Sequence, residues 1–249
     1  MGRNYDALVM HGNPHALSAN PFSMNRAAAV TRLTLWLGFP TARAHFDPLT
    51  LSEDDRARLA DSRGSRRRAD FEVSRALLAM AEVGSAAHSL SHSAEHAALL
   101  IAPDGSRIGV DLEINRPRDV LRLARFAFDE REVRALESAA PESQQALFYT
   151  LWTLKESFAK ALQLGLVDAL RHCIFWMEDR EWRGRVPTDA GWSAAVFQPR
   201  PEIVIAVARI GGNEALQLNT WEWPPKQRAD WPLMVACAGA PSGADAAPA

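Results

Sequence analysis

Apolar residues recur along this chain with two periods, one of two residues and one of three to four. The clearest two-residue period runs over Arg107–Ile114, where Ile108, Val110, Leu112 and Ile114 alternate with Gly109, Asp111 and Glu113. A strand there places Gly109, Asp111 and Glu113 together on the opposite face. Ala97–Ile101 predicts a strand before it. Pro103-Asp104-Gly105 has turn chemistry, so Arg107–Ile114 is expected to return beside that strand. Ala27–Leu37 fits either a strand or a short helix. Later in the chain Cys173–Met177, Trp192–Phe197, Ile203–Ile210 and Leu216–Trp221 predict strands parted by turn signals, and everything after Leu166 reads as strand-like.

The longer period predicts helices. Ser52 followed by Glu53, Asp54 and Asp55 is a capped start. Phe71, Val73 or Ser74, Leu77, Leu78 and Ala81 form a stripe that ends near Gly84. Pro117–Ala127 reads as helix, and Asp129 with Glu132 has capping-box spacing. The longest helix opens near Pro141 and buries Leu147, Phe148, Leu151, Trp152, Phe158, Ala159 and Leu162, with Gly165 as its stop. Helices then strands recur in each half, which points to an α/β (α+β) fold of two similar subdomains. The expected division is 1–114, 115–238 and a tail, 239–249, too poor in apolar residues to fold. Residues 1–25 read as loop-rich.

Composition narrows the class. With 249 residues, 47% of them hydrophobic, the chain can bury a sizeable core. A net charge of −2 gives no overall pull toward nucleic acid or an anionic membrane. Two cysteines, Cys173 and Cys237, make no disulfide framework. The first residues lack signal-peptide form, and Asp6 breaks the myristoylation pattern that Met1-Gly2 opens. No run approaches the ~20 apolar residues of a membrane span. A cytoplasmic protein with no membrane or nucleic-acid partner is expected.

Candidate chemistry centres on the polar face of Arg107–Ile114. Taken alone, Asp111 and Glu113 read first as a solvated acidic face. They also sit about 7 Å apart by the strand rise, and carboxylates so placed can share an oxygen-ligated cation. Gly109, on the same face, would let a ligand approach the backbone. Glu156 is the candidate third carboxylate. Glu156 and Lys160 are four apart on a helix and face the same way. Lys155 sits where an apolar residue was expected: a phosphate ligand accounts for it, and so does a snorkelling rim position. Ser91-His92-Ser93 and the basic run Arg66-Arg67-Arg68, with Arg75 beyond it, offer donors for phosphate. No G-x-S-x-G elbow, P-loop or zinc-type spacing occurs.

GVDLE at 109–113 together with WTLKESFAK at 152–160 resembles the paired signature of the 4′-phosphopantetheinyl transferases. SLSHS at 89–93, RRADFEVSRALL at 67–78 and RFAFDERE at 125–132 resemble further segments of that family. The length is similar to the long, surfactin-synthetase-activating type, in which one chain forms a pseudo-dimer of two halves, each an antiparallel sheet packed with helices. The resemblance implies a monomeric enzyme that transfers phosphopantetheine from coenzyme A to a serine of an acyl or peptidyl carrier protein and releases 3′,5′-ADP. It implies Asp111, Glu113 and Glu156 as Mg²⁺ ligands. Glu156, directly or through a water, is implied as the base and Lys160 as the phosphate clamp. Arg68, Arg75, Ser91 and His92 are implied as coenzyme A contacts, with Lys155 as diphosphate support. Arg32, Arg43 and Arg56 are candidates for the family's N-terminal basic residues, and Leu121–Phe128 for the carrier-docking surface. A non-catalytic module that binds carrier or coenzyme A is the alternative; an RNA binder using SRGSRRR is a third reading.

Overall fold

The computed structural model describes residues 32–61, 64–103 and 106–240. The expectations for residues 1–25, for the tail beyond 240 and for the Asp104-Gly105 turn therefore lie outside the described residues. Strand β1 (Arg32–Gly38) settles the ambiguity over Ala27–Leu37 for its described part. Two short 3₁₀ turns lead to α1 (Glu53–Asp61), whose first turn is capped by the Ser52 hydroxyl accepting from Asp55 N at 3.1 Å. Helix α2 (Ser65–Ala81) follows. Strands β2 (Ala87–Ser93) and β3 (His96–Ala102) form a hairpin whose turn residues Ala94 and Glu95 both have positive φ, 50° and 63°. Then come β4 (Arg107–Ile114), α3 (Val120–Ala127), α4 (Glu130–Ser138) and α5 (Pro141–Leu162). The capping box expected at Asp129 is formed.

Beyond α5 the chain does not turn at once to strand. Gln163, at φ 56°, ends α5, and Gly165 instead caps a further helix, α6 (Leu166–His172). The last strands are β5 (Ile174–Glu178), β6 (Glu181–Arg185), β7 (Trp192–Arg200), β8 (Ile203–Ile210), β9 (Gln217–Trp223), β10 (Gln227–Arg228) and β11 (Leu233–Gly239). Among the described residues no helix is long and apolar enough to cross a membrane.

The fold is mixed α+β. One sheet has the order β10-β9-β1-β3-β2, antiparallel except for the parallel β1–β9 pair. A second, wholly antiparallel, has the order β11-β7-β8-β4. The alternation along each strand stacks them. Leu33, Leu35, Leu37, Ala98 and Leu100 meet Ile108, Val110, Leu112, Ile205 and Val207 between the sheets. Trp36, Ala97 and Leu99, on the other face of the first sheet, meet Val73, Ala76 and Leu77 of α2. Val196, Val204, Ala206 and Ala208, on the outer face of the second, meet Phe148, Leu151, Leu154 and Phe158 of α5. The layers thus run α2, sheet, sheet, α5.

Two expectations change here. β4 does not return beside β3; it leaves for the second sheet and pairs with β8, Asp111 opposite Ala206. The polar face of β4 is not solvated either, because α5 covers it. The division at residue 114 falls between β4 and α3. Across it the sheets exchange strands: β4 joins β8, while β9 joins β1.

Candidate active site

Helix α5 lies unusually close to β4, and Gly109 is the reason. A Cβ at that position would stand 1.9 Å from Ser157 O and 2.7 Å from Ala161 N. The glycine thus admits the helix backbone rather than a ligand, which corrects the role expected for it. Close packing brings the polar face of β4 under the Glu156–Lys160 face of α5. One oxygen each from Asp111, Glu113 and Glu156 then lies within 4.8 Å of the others. Two oxygens sharing one Mg²⁺ stand at most about 4.2 Å apart, twice a ~2.1 Å bond, so a small contraction closes the set on a cation.

Asp111 is 2% exposed. Its Oδ1 accepts from Ser91 Oγ at 2.8 Å and from Lys160 Nζ at 2.9 Å. Its Oδ2 is buried and has no partner among the described residues. A buried carboxylate oxygen without a donor is costly, and a divalent cation is the partner that three acids in one place call for. The residues present therefore fit a divalent metal. Glu113 takes the Ser93 hydroxyl at 3.3 Å. Burial, then the Asp111 charge, raises its pKa, with Arg118, Ser93 and Lys160 opposing. Burial and the charges of Asp111 and Glu113 also push Glu156 up to about 8, against Lys160 and a hydrogen bond with Trp152.

Residues 107–208, which hold all three acids, match the 4′-phosphopantetheinyl transferase superfamily. That segment, less than half of the chain, is what resembles the superfamily. The chain is 41% identical over 86 residues to the 4′-phosphopantetheinyl transferase AcpT of Salmonella typhimurium, covering 32% of this chain and 44% of that protein. It is 33% identical over 138 residues to HetI of a Nostoc species, 55% of this chain and 53% of that protein. It is 33% identical over 92 residues to gsp of Aneurinibacillus migulanus, 37% of each. HetI and gsp are likewise named 4′-phosphopantetheinyl transferases. The matches thus span about a third to a half of these relatives.

The other residues expected in a phosphopantetheinyl transferase site are placed unevenly. Lys160 is at the carboxylates, bonded to Val110 O at 2.8 Å as well as to Asp111. His92 is on β2 and is exposed as a residue. The surrounding protein still disfavours its charged form, Asp70 opposes, and Lys160 and Arg75 push the same way as burial, so its pKa lies below the ordinary value. Arg75 pairs with Asp55 at 2.8 Å, while its buried Nε has no partner among the described residues. Arg68 is largely held by Glu72 at 2.8 Å, and Arg43 reaches the other oxygen of Glu72 at 2.6 Å. Burial works to raise the Glu72 pKa, but the two guanidinium groups outweigh it and hold it low.

Lys155 does not join them. Successive helix residues point about 100° apart, so when Glu156 faces β4, Lys155 faces the core. It is wholly buried, and its ammonium donates to Glu132 at 2.8 Å, to Leu170 O and to Cys173 O. Those partners use all three of its N–H groups, leaving none for a diphosphate. Burial pushes Lys155 down and Glu132 up, and their mutual attraction opposes both. Sequence reasoning took Glu132 only as a capping residue. It does accept from Asp129 N at 3.1 Å, but it also holds Phe175 N at 2.9 Å and thereby ties α4 to β5. Ser93 was missed as a carboxylate partner, although serines at 89, 91 and 93 carry the two-residue period of a strand.

Proposed function

We propose that the chain is a Mg²⁺-dependent 4′-phosphopantetheinyl transferase, moving phosphopantetheine from coenzyme A to a carrier-protein serine and releasing 3′,5′-ADP. One observation carries this reading: one oxygen each from Asp111, Glu113 and Glu156, on a strand and a helix, lies within 4.8 Å of the others, with Lys160 bonded to Asp111 beside them. A diphosphate and a carboxylate triad repel each other; Asp111, Glu113 and Glu156 would hold a divalent cation, whose chemistry would be to offset negative charge at the phosphate. The names of the relatives support the same reaction. We place the chain with the long type, in which one monomer supplies both halves. Two free, buried cysteines accord with a reducing, cytoplasmic setting.

The protein groups divide the work. Glu156, directly or through a water, would take the proton of the attacking serine hydroxyl. Lys160 has two of its three N–H groups on Val110 and Asp111, so the third can reach a phosphate oxygen as charge grows there. His92 and Arg75 are the donors we assign to the remaining phosphates of coenzyme A. On α3, Phe126 is 85% exposed and Leu123 36% exposed, an apolar pair suited to a carrier helix.

The test is mass spectrometry of carrier proteins incubated with coenzyme A, Mg²⁺ and enzyme. Wild type adds one phosphopantetheine. Asp111→Ala and Glu156→Ala lower the rate at least about a hundredfold while circular dichroism stays unchanged. Full activity in Glu156→Ala would overturn its role as base. No modification of any fatty acid, polyketide or peptide carrier by wild type would overturn the class and favour a binding module.

A further inference from the structure

Ser91 and Ser93 lie on β2, the edge strand of one sheet, and the carboxylates they touch lie on β4, the edge strand of the other. Ser89, Ser91 and Ser93 all leave the same face of β2. Each meets β4 differently. Ser89 Oγ accepts from Val110 N at 3.0 Å, Ser91 Oγ donates to Asp111 Oδ1 at 2.8 Å, and Ser93 Oγ donates to Glu113 Oε2 at 3.3 Å.

A hydroxyl has one proton to give. Those of Ser91 and Ser93 are committed to carboxylate oxygens, so neither can at the same time donate to a phosphate of coenzyme A. Ser89 uses a lone pair and fills a backbone donor on an edge strand that nothing else pairs on that side. On Asp111 the consequence is directional. Ser91 and Lys160 both occupy Oδ1, and among the described residues none occupies Oδ2. On Glu113, Ser93 occupies Oε2.

We infer that Ser91 and Ser93 are positioning residues for the metal site: from the opposite sheet they fix which oxygens of Asp111 and Glu113 face the cation. This rests on the reading of the acidic triad as a divalent-metal site, not on the transfer reaction. Under this reading Ser91 and Ser93, which the sequence offered as phosphate donors, hold carboxylates instead. Hydrogen bonds behind metal ligands typically carry about ten- to a hundredfold in metal affinity.

The experiment is Mn²⁺ titration of the full chain without coenzyme A, read by electron paramagnetic resonance of the free ion, beside thermal melts in EDTA. Ser91→Ala and Ser93→Ala should weaken Mn²⁺ binding about tenfold. Ser93→Thr, which keeps the hydroxyl, should stay within about twofold of wild type. Ser89→Ala should lower the melting temperature yet leave Mn²⁺ binding within about twofold, because it touches no carboxylate. Unchanged binding in both Ser→Ala variants at 91 and 93 overturns the proposal. So does a loss in Ser89→Ala equal to theirs, since the effect would then be sheet docking alone. Wild type that binds no Mn²⁺ overturns it together with the metal site. Wild type that binds Mn²⁺ but modifies no carrier leaves the positioning role standing and removes only the transferase reading.

Discussion

At Glu156 a proton and a cation would compete for one carboxylate. Burial and two neighbouring carboxylates push it up to about 8, and burial with the Asp111 charge raises Glu113. Both groups hold a proton more tightly folded than unfolded. Their contribution to stability is therefore full below the ordinary carboxylate range and is lost as pH rises toward 8. A cation at the triad must displace those protons, so its affinity rises over the same interval. Melting temperatures in EDTA should fall from pH 5 to pH 8, and saturating Mg²⁺ should remove that slope. Glu156→Gln should flatten the EDTA profile and abolish the Mg²⁺ effect. Identical profiles with and without Mg²⁺ in wild type would contradict this account. Asp111 and Glu113 were legible as paired acids from alternation alone. That they are covered was not, because a two-residue period says which residues share a face and nothing about what packs on it.

Between elements the decisive contact is α5 on β4. It depends on one missing methyl: Gly109 leaves room for Ser157 O and Ala161 N, where a Cβ would lie 1.9 and 2.7 Å away. Both obstacles are helix backbone and cannot rotate aside. Gly109→Ala must push α5 outward, carrying Glu156 and Lys160 away from Asp111. Urea unfolding should show a loss at the upper end of the ~1–3 kcal/mol typical of overpacking, or more. Mn²⁺ binding should fall with it. A variant as stable as wild type and equally able to bind metal would show that the helix has freedom the packing denies. The same helix decided Lys155. The sequence placed it one residue from Glu156 and left its partner open between phosphate and solvent. Packing of α4 and the α6–β5 junction supplied a third answer, a buried carboxylate and two carbonyls.

At the scale of the molecule the two sheets are joined along more than their apolar faces. The serine ladder seams β2 to β4. Elsewhere Arg200, at the end of β7, forks onto Glu222 of β9 with both contacts at 3.0 Å. Glu222 also accepts from Trp231 Nε1 at 3.1 Å and from Gln227 at 3.2 Å. Burial works to raise its pKa, but these donors outweigh it and hold it low. Such a group stabilises above the ordinary carboxylate range, and that stabilisation is lost as pH falls through its lowered value. Glu222→Ala leaves the Trp231 donor buried and unpartnered. It should cost about 1–3 kcal/mol at neutral pH by urea unfolding, with a smaller acid-induced loss than wild type shows. A cost under about 0.5 kcal/mol would mean the clamp adds nothing beyond the apolar faces.

By itself the sequence determined the type and approximate span of most strands and helices, the capping box at Asp129 and the two motifs that hold the acids. Those features follow from local periodicity and backbone chemistry, which act within a few residues. It did not determine that β4 leaves β3 to pair with β8, because a turn signal fixes a reversal but not which sheet edge receives the strand. Nor did it determine α6, whose seven residues are too short for a helical period to show. Only the tertiary structure decided that Asp111 is buried with one oxygen unpartnered among the described residues, that Ser91 and Ser93 serve carboxylates, and that Lys155 faces the core. Each of these turns on which donor sits across a gap between elements distant in sequence, and local pattern carries no record of that distance.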